Sequence, residues 1–129
     1  MNRKPIIYVD DDQSQRHAMK KLFMVLGYRA EVYSHPQKAL DAVQSNTPQL
    51  VITDLDMPEM DGVTFCKKVK AINPRTFVYA LSGHMRRFGT DRLDVSGFDG
   101  YLVKPVDSEK LEKAIEGAFD RLAGVRMGA

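Results

Sequence analysis

Cysteine is nearly absent: the single Cys66 cannot form an internal disulfide, which fits a reducing, cytoplasmic setting. Long apolar runs are missing as well. No stretch approaches the roughly 20 apolar residues needed to cross a bilayer. The N-terminus carries no apolar core of a secretory signal, because Ile6–Val9 runs straight into three aspartates. An excess of one charge sign is also lacking. The formal net charge is +2 with no long run of lysine or arginine, so composition gives no push toward nucleic acid or an anionic membrane. No internal repeat and no low-complexity tract is present, and the three histidines form no zinc-like cluster.

What is present suits one compact domain. A chain of 129 residues with 43% hydrophobic content can build a single core, and we assign 1–123 to the domain and 124–129 to a short tail or the start of a linker. Five short runs rich in β-branched or aromatic residues read as strands: 6–9, 30–33, 50–53, 77–81 and 101–103. Helical segments lie between them. The first, Gln13 to Leu26, is capped by Asp12 or Ser14, is expected to bury Ala18, Leu22 and Val25, and closes at Gly27; Met19 and Met24 read as core filling. The second starts at Pro36 and buries Ala39, Leu40 and Val43 before Asn46 and Pro48 stop it. The third runs from Gly62 to Ala71 behind Asp61 as a cap, and carries Cys66 as a small buried residue. By alternation 85–96 is a fourth, interrupted by Gly89. The last opens at Asp107 or Ser108 and repeats Leu111, Ala114, Ile115, Ala118, Phe119 and Leu122 at helical spacing. Alternating strands and helices imply an α/β fold, a parallel sheet covered on both faces.

Ligands in such sheets bind at the carboxyl ends of the strands. The polar residues there are Asp10, Asp11, Asp54, Ser82 and Lys104. Three carboxylates brought together repel unless protons stay bound or a cation sits among them, and a hard divalent cation such as magnesium suits oxygen ligands. Lys104 is followed by Pro105, which constrains the backbone where the side chain leaves the sheet, and lysine is a suitable point charge for phosphate.

Four motifs, YVDDD at 8–12, ITDLDMPEMDG at 52–62, LSG at 81–83 and YLVKP at 101–105, occur in the order found in receiver domains of bacterial response regulators, which the chain resembles over nearly its whole length. The resemblance implies a flavodoxin-like five-stranded parallel sheet of order 2-1-3-4-5 and a phosphoryl-accepting switch of a two-component phosphorelay, not an enzyme with a separate substrate. It implies Asp54 as the phosphoacceptor. Magnesium, with manganese as a substitute, would be held by Asp11 directly, by Asp10 mainly through water, by Asp54 and by the backbone carbonyl of Asp56. Ser82 and Lys104 would bind the phosphoryl oxygens, Tyr101 would turn inward on activation, and Asp56 and His84 would tune dephosphorylation.

The implied donor is a sensor histidine kinase or a histidine phosphotransfer protein. The implied output face is 85–122, through which a homodimer could form. Direct nucleic-acid binding and membrane association are not expected. Ser82 stands where threonine is commoner in the family, which keeps the hydroxyl and loses a methyl that would restrict its rotamer. Arg86, Arg87 and Arg92 read as a solvated charged face. Two alternatives remain at this level. Asp54-Leu55-Asp56 also resembles the DxD motif of haloacid dehalogenase-like aspartyl-phosphate phosphatases, although there the nucleophilic strand comes first in the chain. A non-phosphorylated receiver-like scaffold would be expected to lack the acceptor or the lysine, and neither is missing.

Overall fold

A computed structural model describes residues 4–83 and 97–127. Along the chain run β1 (Ile6–Val9), α1 (Gln13–Leu26), β2 (Ala30–Tyr33), α2 (Pro36–Asn46), β3 (Leu50–Asp54), α3 (Gly62–Ile72), β4 (Phe77–Ser82), β5 (Gly100–Val103) and α4 (Ser108–Met127). The five strands form one parallel sheet of order β2-β1-β3-β4-β5, the flavodoxin-like arrangement. The expected helix at 85–96 lies outside the described residues, as do Arg86, Arg87 and Arg92.

Because successive side chains of a strand point to opposite faces, the continuous apolar runs supply two cores. Ile6, Tyr8, Leu50, Ile52 and Leu81 pack with Met19 and Phe23 of α1 and with Leu111, Ile115, Ala118 and Phe119 of α4. On the other face Ile7, Val9, Val51 and Val78 meet Ala39, Leu40 and Val43 of α2 and Phe65, Cys66 and Val69 of α3. Removing most of a buried aliphatic side chain from either core costs about 2–5 kcal/mol.

The inward face of α1 differs from the expected one. Met19 and Phe23 are buried with Leu22 and Leu26 beside them, whereas Ala18 and Met24 are exposed and Val25 is 78% exposed. The stripe 19, 22, 23 and 26 has the same helical period as 18, 22 and 25 but is rotated, and burying Phe23 and Met19 removes more apolar area from water than burying Ala18 and Val25. Met24 is therefore not core filling. The second helix buries Ala39, Leu40 and Val43 as expected, and Cys66 is buried in α3. Helix α4 continues past Leu122 to Met127.

Local chemistry fixes the ends. The Asp12 carboxylate accepts from the N–H groups of Ser14 and Gln15, and that of Asp61 accepts from the N–H of Thr64, satisfying donors that a helix start leaves open. Gly27 closes α1 with φ of 82°, a left-handed conformation that costs glycine little. At the amino-terminal edge of the sheet, the Asp99 carboxylate accepts from the Val78 N–H and from Lys70 Nζ of α3, at 2.9 and 2.7 Å. Its backbone carbonyl accepts from Arg121 of α4, whose guanidinium lies over the Phe77 ring.

At the opposite edge, α3 comes close against the end of β3. The Gly62 N–H donates to the Leu55 carbonyl, and a Cβ at Gly62 would lie 2.6 Å from the Asp54 carbonyl oxygen and 2.9 Å from Leu55 Cα. Those neighbours are backbone and cannot swing aside. Gly62→Ala is expected to destabilise the protein by about 1–3 kcal/mol. Gly117→Ala, in α4 with no atom near its Cβ position, is expected to stabilise it by about 0.5–1 kcal/mol. Urea denaturation of the two variants beside the parent checks the opposite signs.

Candidate functional site

The strand ends build the site. Asp10 follows β1, Asp54 closes β3, Ser82 closes β4 and Lys104 follows β5. In register Val9 faces Thr53, Asp54 faces Leu81 and Ser82 faces Val103, so these ends finish close to level at the carboxyl edge of the sheet. One carboxylate oxygen from each of Asp10, Asp11 and Asp54 lies within 4.8 Å of the others. Asp10 is fully buried, Asp54 is only 5% exposed and Asp11 faces solvent. Lys104 Nζ reaches 3.2 Å from Asp54 Oδ1 and 3.7 Å from Asp10 Oδ2.

Asp10 is the most tightly held of the three. The Tyr8 hydroxyl donates to its Oδ2 at 2.7 Å, the Asp12 N–H donates to its Oδ1 at 3.0 Å, and Arg16 Nη1 donates to its backbone carbonyl at 3.0 Å. Burial and the neighbouring Asp10 charge push the Tyr8 phenol well above its ordinary value, so it stays a proton donor at neutral pH.

Two carboxylates withdrawn from water beside each other favour a bound proton. Burial first, and then the charge of Asp10, push Asp54 up from 3.8 to about 6, against the opposing pull of Lys104 and with a further upward push from Asp56. The same imbalance attracts a cation. The donor set is three carboxylates with no thiolate or imidazole, which suits a hard divalent ion such as magnesium, calcium or manganese.

Of the residues singled out in the sequence, Asp10, Asp11, Asp54 and Lys104 are brought together. Ser82 is buried at the neighbouring strand end and Asp56 is half-buried in the loop after β3. Tyr101 lies on edge strand β5, 45% exposed. His84 lies outside the described residues. His17 and His35 are exposed, His35 lying 3.4 Å from Glu59. The Cys66 thiol is buried and pushed up to about 11 by that burial, which leaves it unreactive. The Lys104–Pro105 peptide bond is cis. Tyr8 and Arg16, which grip Asp10, were not singled out; the available signal was the period-two spacing that puts Tyr8 on the same side of β1 as Asp10.

The family model of the response regulator receiver domain matches residues 6–116. The transcriptional regulatory protein ZraR of Escherichia coli K12 is 32% identical over 115 residues, which cover 88% of this chain and 26% of that protein. Among solved structures, the Vibrio cholerae chemotaxis protein CheY4 superposes with a TM-score of 0.83 at 26% identity, covering 91% of this chain and 99% of that one. A receiver domain protein from Clostridium thermocellum gives 0.84 at 28% identity, covering 92% and 95%. The chain thus spans about a quarter of the length of the ZraR regulators it matches, and nearly all of a chemotaxis receiver.

The raised Asp54 value sets a pH dependence. A carboxyl that holds its proton more tightly folded than unfolded contributes stability below the unfolded value of 3.8, and that contribution is lost as pH rises through about 6. Metal-free protein is therefore expected to lose about 2–3 kcal/mol over that window, at ~1.4 kcal/mol per pKa unit. Asp54→Asn is expected to flatten the loss and to exceed the parent in stability at pH 7.5. Thermal unfolding in chelator across pH 4 to 8 measures both.

Proposed function

The chain belongs to the response regulator receiver domain family, and on that premise we propose that Asp54 is its phosphoacceptor. Receiver domains are phosphoacceptor signalling switches of two-component systems and receive phosphate from histidine kinases. The observation that carries the assignment is the crowding of Asp10, Asp11 and Asp54 around one point with Lys104 at 3.2 Å from Asp54. An Asp54 oxygen attacks the phosphorus of a phosphohistidine or a small acyl phosphate. The new O–P bond forms as the P–N or P–O bond to the donor breaks, and the leaving imidazole nitrogen or carboxylate keeps that bond's electron pair.

Asp11, Asp54 and the Asp56 carbonyl would hold magnesium directly and Asp10 mainly through water, with manganese an acceptable substitute. Magnesium, when bound, neutralises charge on the transferring phosphoryl oxygens. The Lys104 ammonium adds a fixed positive charge to those oxygens, and the Ser82 hydroxyl donates to one of them. Tyr101, half-exposed on β5, then turns inward, and the output face at 85–122 changes its surface for a partner or a second copy. Asp56 and His84 set how long the phosphoryl group survives.

The chain acts as a regulator and carries out its own phosphorylation and dephosphorylation at most. Its donor is a sensor histidine kinase or a histidine phosphotransfer protein. The receiver unit is 1–123, and α4 carries the chain on as helix toward 124–129. Nucleic-acid binding by this domain is not part of the reading, and no helix among the described residues is long and apolar enough to cross a membrane. The haloacid dehalogenase-like alternative is disfavoured by position: Asp54 ends the third strand in the chain, not the first.

Incubation with acetyl phosphate and magnesium is expected to add the mass of one phosphoryl group, and chelator or Asp54→Asn to abolish the addition. Lys104→Ala is expected to slow it by about a hundredfold or more. Intact-mass spectrometry over time reads all three, and undiminished labelling of Asp54→Asn would place the acceptor elsewhere.

A further inference from the structure

Tyr8 is an anomaly in its surroundings. Its ring is fully buried on the α1 and α4 side of the sheet, packed with Met19 and Phe23, whose ring centroid is 6.2 Å away. That environment calls for an apolar side chain, and a buried hydroxyl costs several kcal/mol of lost hydration if it finds no partner. It donates to Asp10 Oδ2 at 2.7 Å, and the Gln15 side chain is a second hydrogen-bond partner. Strand alternation makes this possible, since Tyr8 and Asp10 are two residues apart and leave β1 on the same side.

We infer that Tyr8 is a positioning residue of the cation site, acting through Asp10. This rests on the reading that the acidic cluster holds magnesium. The Asp12 N–H fixes one oxygen of Asp10 and the Tyr8 hydroxyl fixes the other, so the carboxylate has little freedom to rotate. A carboxylate oriented before a cation arrives loses less entropy on binding than one that must be ordered. Tyr8 and Lys104 differ in what they do for it. Lys104 lies 3.7 Å from the same oxygen and contributes a full positive charge, which opposes the approach of a dication. The phenol supports the carboxylate through a hydrogen bond to a charged group while leaving the net charge of the cluster unchanged. Tyr8 thus offsets the cost of burying Asp10 while adding no formal positive charge to the cluster.

The test is magnesium affinity of the whole chain, read from the shift of thermal unfolding with added magnesium chloride after chelator treatment. Tyr8→Phe keeps the ring and removes the hydroxyl, and is expected to weaken magnesium about tenfold, as loss of a group that orients a metal ligand does. Tyr8→Met, which also lacks the hydroxyl and adapts to the same space, is expected to show the same loss and covers the case in which Tyr8→Phe folds poorly. In an Asp10→Ala background, which removes both side-chain acceptor oxygens, Tyr8→Phe is expected to change affinity by less than about twofold, because the interaction is already gone. Magnesium affinity equal to the parent's in the folded hydroxyl-free variants overturns the positioning role and leaves the cation site standing. Equal losses with and without the Asp10 carboxylate overturn it as well, since the effect would not pass through Asp10. A parent chain that shows no magnesium-dependent shift overturns the cation site itself and this inference with it.

Discussion

Mutual repulsion between carboxylates at the carboxyl edge of the sheet is the constraint around which the rest of the molecule is arranged. Asp10 and Asp54 are both withdrawn from water, and a buried carboxylate beside another is unfavourable unless fixed donors hold it. Those donors come from separate parts of the chain: a phenol from the core of β1, a backbone N–H from the start of α1, and an ammonium from the end of β5. Only a sheet whose strands all end on one side can bring them together, which is what parallel topology with helical crossovers provides. The close approach of α3 at Gly62 belongs to the same requirement, since it fixes the backbone from which Asp54 projects.

This arrangement stores a response. Asp54 holds its proton up to about pH 6, well above the ordinary carboxylate range, and positive charge nearby favours its anion. The same imbalance that lowers stability at neutral pH is one that a divalent ion would relieve, and it places an anionic oxygen beside Lys104. Stability and attraction for positive charge are opposed here through the same few atoms.

Much of this was legible in the sequence because parallel sheets make strand ends converge. The runs at 6–9 and 50–53 announced buried strands, and the aspartates and Lys104 at strand ends announced the cluster. The caps at Asp12 and Asp61 were legible because side-chain oxygens there have a local job. The inner face of α1 was not, since 18, 22, 25 and 19, 22, 23, 26 share a period and only contact with the sheet decides between them. Tyr8 was hidden for a different reason: in a periodicity reading it counts as apolar, and its hydroxyl gains meaning only once Asp10 is placed 2.7 Å away. Arg16 reaches the Asp10 carbonyl through the turn into α1, a geometry that spacing alone does not express. The family resemblance, not the spacing, is the source of the roles proposed for the Asp56 carbonyl, Tyr101 and His84.

Asp99 sits at the opposite edge of the sheet from the carboxylates, and it ties two layers at once. Its side chain holds Lys70 of α3 on one face, and its carbonyl holds Arg121 of α4 on the other. Both helices are therefore pinned at the end away from the chemistry. Asp99 is thus a clasp that closes both layers on the start of β5.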